Sequence, residues 1–246
     1  MSRALAPIAP ILRAKRPAML TRRYETCWLN REGHVETATR IAPAIPAFEE
    51  AFSAVARGTL IETTKGLVAV EDLDPGMLVL TAEGRIEPIT WIGSMTLFPP
   101  HAIPGLAPST LTRITADAFG PARPMPDLVL GQSARLLLRG GRCQSAGHMT
   151  AYAPARSMID GESIVEVTPV APVAMYNLVL ARHGSLRCAG IEVESFHPGK
   201  DYAERLDPQL ASLFIAMFPQ MSGFGDFGPL AHPRLSADET DIMIAA

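Results

Sequence analysis

Cysteine is scarce in this sequence, and the few cysteines present follow no metal-binding or redox pattern. The three cysteines are Cys27, Cys143 and Cys188, and no CxxC spacing occurs. An odd, low count argues against a disulfide framework and fits a reducing compartment, so we expect three unpaired thiols and a cytoplasmic protein. The six histidines show no ligand spacing with cysteines or carboxylates. We therefore expect no metal site and no cofactor.

Long apolar runs and a strong net charge are also missing. No uninterrupted stretch of about 20 apolar residues occurs, so we expect no transmembrane helix. The net charge is −3, which gives no general reason to expect nucleic acid or an anionic membrane as a partner. Apolar residues nevertheless make up 48 % of the chain, enough for a sizeable core. An unidentified protein partner stays open.

Composition divides the chain into three zones. Residues 1–50 are rich in proline and arginine, and residues 1–23 contain six basic residues and no acidic one. The apolar stretch at residues 5–12 is broken by two prolines, so we interpret this region as a flexible basic tail rather than a secretory signal. A weak helical patch follows at residues 47–54. We expect a domain over residues 51–199, and a helix and tail over residues 200–246.

The middle zone consists of short β-type runs separated by turn signals. Lys65-Gly66 between two such runs predicts a hairpin, and Asp74-Pro75-Gly76 predicts a turn in which proline fixes φ and glycine supplies a positive φ. Because no helical pattern intervenes, an all-β domain is favoured. The predicted strands are residues 60–62, 67–70, 77–81, 86–92, 111–115, 128–130, 135–138, 163–168, 175–180 and 191–193.

The pattern becomes helical after Pro198. Asp207 predicts an N-cap and Pro208 a first helical residue, and apolar residues then recur at helical spacing up to Pro219. An isolated helix of this length is marginal in water, so we expect it to pack on the β domain. The predicted docking residues are Leu210, Leu213, Phe214 and Met217. The Gly/Phe-rich stretch after Pro219 and the polar tail predict loose order.

Four segments, in order, resemble the Hint superfamily of inteins and Hedgehog autoprocessing domains, in particular its stand-alone bacterial branch. The first is GTLIETTKGLVAVEDLDPGMLV, in which Val70, Leu73 and Gly76 fit the pattern V-x-x-L-x-x-G-D-x-V and Met77 replaces the aspartate. The others are ITWIGS, MPDLVLGQSARLLL and MYNLVLARHGSLRCAGIEVESFHPG. The resemblance implies an all-β, flattened horseshoe of short strands, with a short C-terminal helix added here.

The resemblance also implies a chemistry. The first residue of a Hint domain, Cys or Ser, attacks the preceding peptide bond, and a Thr-x-x-His turn activates that bond. Here the first position falls on Ala54, and the turn falls on Gly131-Gln132-Ser133-Ala134, so nucleophile, hydroxyl and imidazole are all missing. The terminal His-Asn pair falls on Glu194-Ser195. Only His183 keeps the residue type of the family, either as a relic of the active site or as a turn residue.

Three hypotheses follow for function. The favoured one is a catalytically silent Hint module with a structural or interaction role, with no intact catalytic residue and no enzymatic activity. The second is an active autoprocessing protein that cleaves near residue 53. It would need Ser53 as nucleophile, but side chains alternate faces along a strand, so a one-residue slip points that residue the wrong way.

The third hypothesis is an unrelated all-β binding protein, which a structure can separate from the other two. A Hint fold brings residues near Ala54, Ala134, His183 and Glu194 together. Other residues receive structural interpretations. The sequence predicts Ser133 in a turn, Trp91 and Ile92 in the core, and His197, before a Pro-Gly turn, at the surface.

Overall fold

Antiparallel β-structure dominates this protein. The structure, a computed structural model, describes residues 20–102, 109–140, 148–236 and 239–240. Within those ranges the chain forms fifteen β-strands, whose pairings are all antiparallel, and two short α-helices. The prediction of an all-β fold with a short C-terminal helix is therefore confirmed.

The elements are numbered in chain order. The strands are β1 (Thr21–Leu29), β2 (Val35–Pro43), β3 (Val55–Ala56), β4 (Leu60–Thr63), β5 (Gly66–Ala69), β6 (Leu78–Leu80), β7 (Ile86–Leu97), β8 (Leu111–Ile114), β9 (Leu128–Leu130), β10 (Arg135–Arg139), β11 (Thr150–Pro154), β12 (Ile164–Val167), β13 (Val173–Leu180), β14 (Ser185–Cys188) and β15 (Ile191–Glu194). The helices are α1 (Pro46–Glu49) and α2 (Pro208–Ile215). Single 3₁₀ turns occur at Glu50–Phe52, Val70–Asp72, Ala155–Met158 and Phe224–Phe227.

The long strand β7 connects the two halves of the sheet. The strand order is β11-β10-β15-β14-β4-β6-β7-β13-β3-β9-β8-β12, with β5 on β4 and the β1–β2 hairpin attached to β7. The start of β7 pairs with β6, and its remainder pairs with β13 and β1. Gly93 in β7 has to be glycine, since a Cβ there would lie 2.1 Å from the Trp91 ring and 2.6 Å from the Phe52 ring.

Each of the ten predicted strands overlaps a strand of the structure, but five strands were not predicted. These are β1, β2, β3, β11 and β14. The interpretation of residues 1–23 as a flexible tail is wrong for residues 20–23, which belong to the β1 edge of the fold. Arg22 is buried there because it pairs with Glu49 (Nε to Oε1, 2.9 Å) and donates to the Thr96 carbonyl oxygen. The structure does not describe residues 1–19.

Buried side chains form two clusters of different composition. The first, here called the aliphatic core, lies within the sheet and is built from residues such as Ile61, Leu136 and Val193. The second, here called the aromatic core, packs against the other part of β7 and β13 and contains Trp91 and Phe214. Trp91 is fully buried and Ile92 nearly so, as the sequence predicts.

Helix α2 packs on the aromatic core. The Asp207 carboxylate accepts a hydrogen bond from the Gln209 amide (2.9 Å), so the predicted N-cap is confirmed. The helix ends at Ile215, three residues earlier than predicted, and the chain continues in turns. Phe214, Met217 and Phe218 are buried, which confirms docking. Leu213 is wrong as a docking residue, because it is 38 % exposed and lies on the outer face.

The segments on either side of the matched β zone contact each other directly. The Tyr202 hydroxyl donates to the carbonyl oxygen of Ala47 at α1. The prediction of loose order after Pro219 is wrong for residues 220–236, since Phe227 is buried against Phe218 and Phe196 and Leu235 joins the aliphatic core. The end of the polar tail, residues 241–246, lies outside the described residues. Aromatic and aliphatic side chains spaced along an otherwise polar tail explain why it packs.

Two cysteines lie in the described residues, and both are free thiols. Cys27 is half-buried in β1 and Cys188 is buried in β14, where burial raises the pKa of its thiol. Cys143 lies outside the described residues. No helix among the described ranges is long and apolar enough to cross a membrane.

Candidate functional site

Five of the six positions singled out by the Hint resemblance lie at one cavity of about 100 Å³. Ala54, Ala134, Glu194 and Ser195 line it. Gly131 lies beside it and donates its amide hydrogen to the Ala54 carbonyl oxygen (2.9 Å). Five positions, the first and last of them 141 residues apart in the sequence, thus meet at one place, as expected if the chain has a Hint fold.

Ala54 lies at the entrance to strand β3, between β13 and β9. Its amide donates to the Tyr176 carbonyl oxygen (2.9 Å), and its own carbonyl oxygen accepts from Gly131. Ala54 is 6 % exposed and borders the cavity, where a methyl group offers no nucleophile.

Ser53 points away from this cavity. Its hydroxyl donates to the Glu49 carbonyl oxygen at the end of α1 (2.7 Å), and the residue lines a neighbouring cavity of about 340 Å³. This geometry agrees with the alternation argument, because consecutive residues face opposite sides of an extended chain.

The turn that replaces Thr-x-x-His is closed by backbone contacts. Ser133 lies in the turn, as predicted, and the Ala134 amide donates to the Gly131 carbonyl oxygen (3.2 Å). A Cβ on Gly131 would lie 1.8 Å from the carbonyl oxygen of Ser53. The backbone of this turn therefore approaches the Ser53–Ala54 peptide so closely that a side chain at position 131 has no space.

His183 is buried and does not line the cavity. Its Nδ1 accepts a hydrogen bond from the Ala231 amide (3.0 Å), so Nδ1 carries no proton and the neutral ring is protonated at Nε2. Nε2 in turn lies 3.1 Å from the Ser195 carbonyl oxygen and 3.3 Å from Oε1 of Glu194. Both ring nitrogens are thus engaged, and neither faces the cavity as a free acid or base.

Glu194 carries a buried negative charge at the rim of the cavity. Its carboxylate accepts from Nε of Arg234 (2.9 Å). Burial opposes ionisation, yet the hydrogen bond from His183 and the charge of Arg234 lower the pKa of the Glu194 carboxyl below its ordinary value. The carboxylate is therefore ionised and paired at neutral pH.

Arg234 belongs to a segment, residues 228–236, that we call the C-terminal latch. The latch is held to β11 because the Pro233 carbonyl oxygen accepts from the Tyr152 amide and the Leu235 amide donates to the Tyr152 carbonyl oxygen (2.8 Å each). His232 lies 2.8 Å from the Thr150 hydroxyl and 3.1 Å from the Glu83 carboxylate. Through Ala231 and Arg234, the latch also contacts the buried side chains of His183 and Glu194.

His197 was predicted at the surface, and this is wrong because it is 7 % exposed. Its Nδ1 accepts from the Gly199 amide (2.8 Å), and its Nε2 donates to the Gly228 carbonyl oxygen of the latch (2.9 Å). Burial lowers the pKa of His197 to about 4, against a smaller opposing effect of the hydrogen bond to Gly228. His197 is therefore neutral near pH 7.

Three arginines that sequence reasoning missed also line the cavity. They are Arg135 in β10, Arg205 before α2 and Arg234 in the latch. No local motif joins them, since they lie up to 99 positions apart. Among the residues that the structure describes, no group of three or more His, Cys, Asp or Glu side chains is arranged to hold a metal ion.

Comparison with known proteins supplies the family context. A family model described as Hint domain matches residues 53–200. The chain is similar in fold to a bacterial intein-like domain from Clostridium thermocellum, with 13 % identity, a TM-score of 0.42, and coverage of 59 % of this chain and 99 % of that one. No curated protein matches the chain.

Two inteins of known structure are similar over nearly the same share of this chain. The MchDnaB-1 intein shares 15 % identity over 58 % of this chain and 100 % of its own, with a TM-score of 0.35. The gp41-1 intein shares 10 % identity over 58 % of this chain and 99 % of its own, with a TM-score of 0.32.

Proposed function

The chain belongs to the Hint domain family, and from that premise we propose that it is a non-cleaving member whose domain has a structural or interaction role. The observation that carries the proposal is the methyl group of Ala54 at the cavity, where Hint chemistry starts from a thiol or hydroxyl. In one well-studied hydrolase the loss of the nucleophile alone costs about 10⁶ in rate. Ser53 offers no substitute, because its hydroxyl faces α1.

The segment that precedes Ala54 supports the same proposal. Tyr24, Phe48 and Phe52 from this segment are fully buried in the aromatic core. Strand β1 also pairs with β7 over five residues. Cleavage before residue 54 would break the chain inside a packed unit, whereas a silent domain keeps the unit covalently intact.

The groups around the scissile position give a third line of support. Gly131 and Ala134 carry no side-chain donor, and His183 has both ring nitrogens engaged. Without these groups nothing protonates the departing amide nitrogen of residue 54. The alternative, an autoprocessing protein that cleaves near residue 53, requires a nucleophile and an acid that these positions do not supply.

The experiment is intact-mass spectrometry of the purified chain after incubation with dithiothreitol or hydroxylamine. These reagents break the thioester or ester of a Hint precursor, and we expect the mass to stay unchanged. An intein precursor known to cleave serves as the positive control. Release of an N-terminal fragment that ends at residue 52 or 53 contradicts the proposal and establishes the autoprocessing alternative.

Two variants show which group is limiting. Ala54→Cys alone should remain intact, since the thiol gains no activating partner. Ala54→Cys combined with Ala134→His restores a nucleophile and an imidazole without touching Gly131, and slow cleavage is expected only in this pair. Adding Gly131→Thr should lower the yield of folded protein and should not raise the cleavage rate. The reason is that its Cβ would overlap the Ser53 carbonyl oxygen.

A further inference from the structure

We propose that the cavity lined by Arg135, Arg205 and Arg234 binds the carboxylate group of a ligand. This binding goes beyond a silent structural domain, and it does not depend on whether the chain cleaves itself. Arg205 and Arg234 follow residue 200, outside the stretch that matches the Hint family. The site is therefore a property of this chain's own extension and not of Hint chemistry.

Arg135 supplies a guanidinium group that the protein itself leaves underused. Its Nε is buried without a hydrogen-bond partner, and its Nη1 makes only a long bond to the Ser133 carbonyl oxygen (3.3 Å). In the described part of the chain no carboxylate lies within 4.0 Å of this group. Nε has almost no accessible surface, so the terminal nitrogens of Arg135, which make no short hydrogen bond within the protein, are the donors that a bound anion reaches.

Arg205 and Arg234 approach the cavity around Gly199. A Cβ on Gly199 would lie 3.0 Å from Nη1 of Arg234 and 3.9 Å from Nη2 of Arg205, so both guanidinium groups lie against the same point of the backbone. Gly199 adopts a φ of +92°, which side chains rarely tolerate, and this keeps the approach open.

Each of these two arginines also has donors to spare. Arg234 uses Nε on Glu194 and Nη2 on the His197 carbonyl oxygen (2.6 Å), and Nη1 has no partner among the described residues. Arg205 lies over the Tyr202 ring (5.5 Å from its centroid), and its Nε reaches only the Asp201 carbonyl oxygen at 3.4 Å. The ring and the backbone thus hold both groups in place while terminal nitrogens stay available.

The charge of the lining favours a single negative charge. Three guanidinium groups face two carboxylates, those of Glu50 and Glu194, and His197 is neutral, which leaves one positive charge. A carboxylate matches the planar fork of a guanidinium group and carries one charge. A dianionic phosphate would exceed that charge and meet Glu50 and Glu194.

The shape fits a carboxylate at the end of a longer molecule. The cavity of about 100 Å³ is large enough for the carboxylate itself. The neighbouring cavity of about 340 Å³ shares Glu50, Ser133 and Arg135 with it, and offers room for the rest of the ligand. The carboxylate could belong to a small organic acid or to the C-terminus of a peptide.

Titration calorimetry of the full chain tests the site with four probes at constant ionic strength. These are acetate, a short alanine peptide with a free C-terminus, the same peptide amidated, and inorganic phosphate. Arg135→Gln should weaken binding about tenfold, since it removes charge-assisted hydrogen bonds. Arg205→Gln should act in the same direction, and because Arg205 is exposed its replacement does not threaten folding. Arg139→Gln is the matched control, on the same strand but in a surface pair with Glu192.

The outcomes separate the sources and decide the proposal. Binding of acetate and of both peptides to a similar degree contradicts it, as does equal affinity in all four proteins or no binding by any probe. Tighter binding of the free peptide than of acetate assigns the site to a chain terminus, and equal binding of these two assigns it to small acids. Inorganic phosphate that binds more tightly than the carboxylates overturns the single-charge argument.

Discussion

The aliphatic and aromatic cores differ in where along the chain their residues come from. Of the 25 buried residues of the aliphatic core, only Leu235 lies outside residues 53–200. Of the 19 buried residues of the aromatic core, six precede residue 53 and five follow residue 200. The Hint domain thus supplies all but one residue of the aliphatic core, whereas the two flanking segments supply eleven of the 19 residues of the aromatic core.

This difference indicates that the flanking segments are structural parts of the molecule. Trp91 of β7 packs edge-on to Phe52 from the N-terminal side and against Phe218 from the C-terminal side. Its indole N–H also donates to the Met217 carbonyl oxygen (2.9 Å). Such aromatic pairs contribute about 0.5–1.5 kcal/mol each beyond the area they bury. Trp91, a residue of the Hint domain, therefore contacts both flanking segments.

Truncation after Gly199 should have the largest effect on stability, because it removes one side of the aromatic core. It removes Tyr202, Phe214, Met217, Phe218 and Phe227 from the aromatic core. Each such side chain contributes about 1.5–3 kcal/mol by burial, so the loss is comparable with the whole stability of a domain. We expect an insoluble or unfolded product by circular dichroism and sedimentation. A chain that ends at Ser236 keeps these residues and should fold, and equal melting of the two truncations would contradict the two-core description.

Two adjacent residues of α2 allow the stability cost of a buried and of an exposed side chain to be compared. Phe214→Ala should lower the free energy of unfolding by about 3–5 kcal/mol, because it empties a fully buried site. Leu213→Ala should cost about 1 kcal/mol or less, since Leu213 is exposed. Denaturation with urea measures both. Similar costs would mean that the helix does not dock through Phe214.

Two glutamates of β15 separate the buried polar network from surface pairing. Glu194→Gln should destabilise by about 3 kcal/mol, since it leaves the Arg234 guanidinium group without its buried counter-charge and replaces the carboxylate beside Nε2 of His183. Glu192→Gln breaks only a surface pair with Arg139 and should cost about 0–1 kcal/mol. Thermal and urea unfolding of the two variants at pH 7 provide the measurement. A mild effect at Glu194 would show that the latch contributes little.

The pH dependence of stability gives an effect that is confined to acidic pH. The folded pKa of His197, about 4, lies below its ordinary value of 6.5, so the unfolded chain takes up a proton between these values that the folded chain does not. Stability from this group is complete above pH 6.5 and is lost as the pH falls towards 4, by up to about 3 kcal/mol.

Replacement of His197 isolates this contribution. In His197→Gln the decline between pH 6.5 and 4 should be shallower, while His34→Gln, at an exposed loop, should follow the unmodified chain. Carboxylates with lowered pKa values, such as Glu194, contribute equally to the unmodified chain and the control. Parallel curves for all three proteins would exclude His197 as the source.

Local signals in the sequence were sufficient for many elements. Gly66, directly after a hairpin turn, and Asp207, at a helix N-terminus, act on the backbone next to them, so each could be predicted from a few neighbouring residues. The resemblance to Hint domains also singled out Ala54, Ala134 and Glu194, which the fold brings to one cavity.

Features that depend on distant partners were not predictable. The basic character of Arg22 favoured a flexible tail at the start of β1. Its burial depends on an ion pair with Glu49, which lies 27 positions away. His197 looked exposed because the glycine that covers it, Gly228, lies 31 positions on. Arg234 reaches Glu194 across 40 positions. No periodicity or motif reports such pairs, since they arise from the tertiary fold.

The position of the latch in the chain has a consequence for synthesis on the ribosome. Translation produces Glu194 and His183 before Ala231 and Arg234, and chains fold largely in the order in which they emerge. Until residue 234 leaves the exit tunnel, the Glu194 carboxylate lacks its guanidinium partner. Burial of the unpaired charge would cost free energy, so the carboxylate stays hydrated. The Arg234–Glu194 ion pair and the hydrogen bond from Ala231 to His183 can therefore form only late, after the latch has left the ribosome.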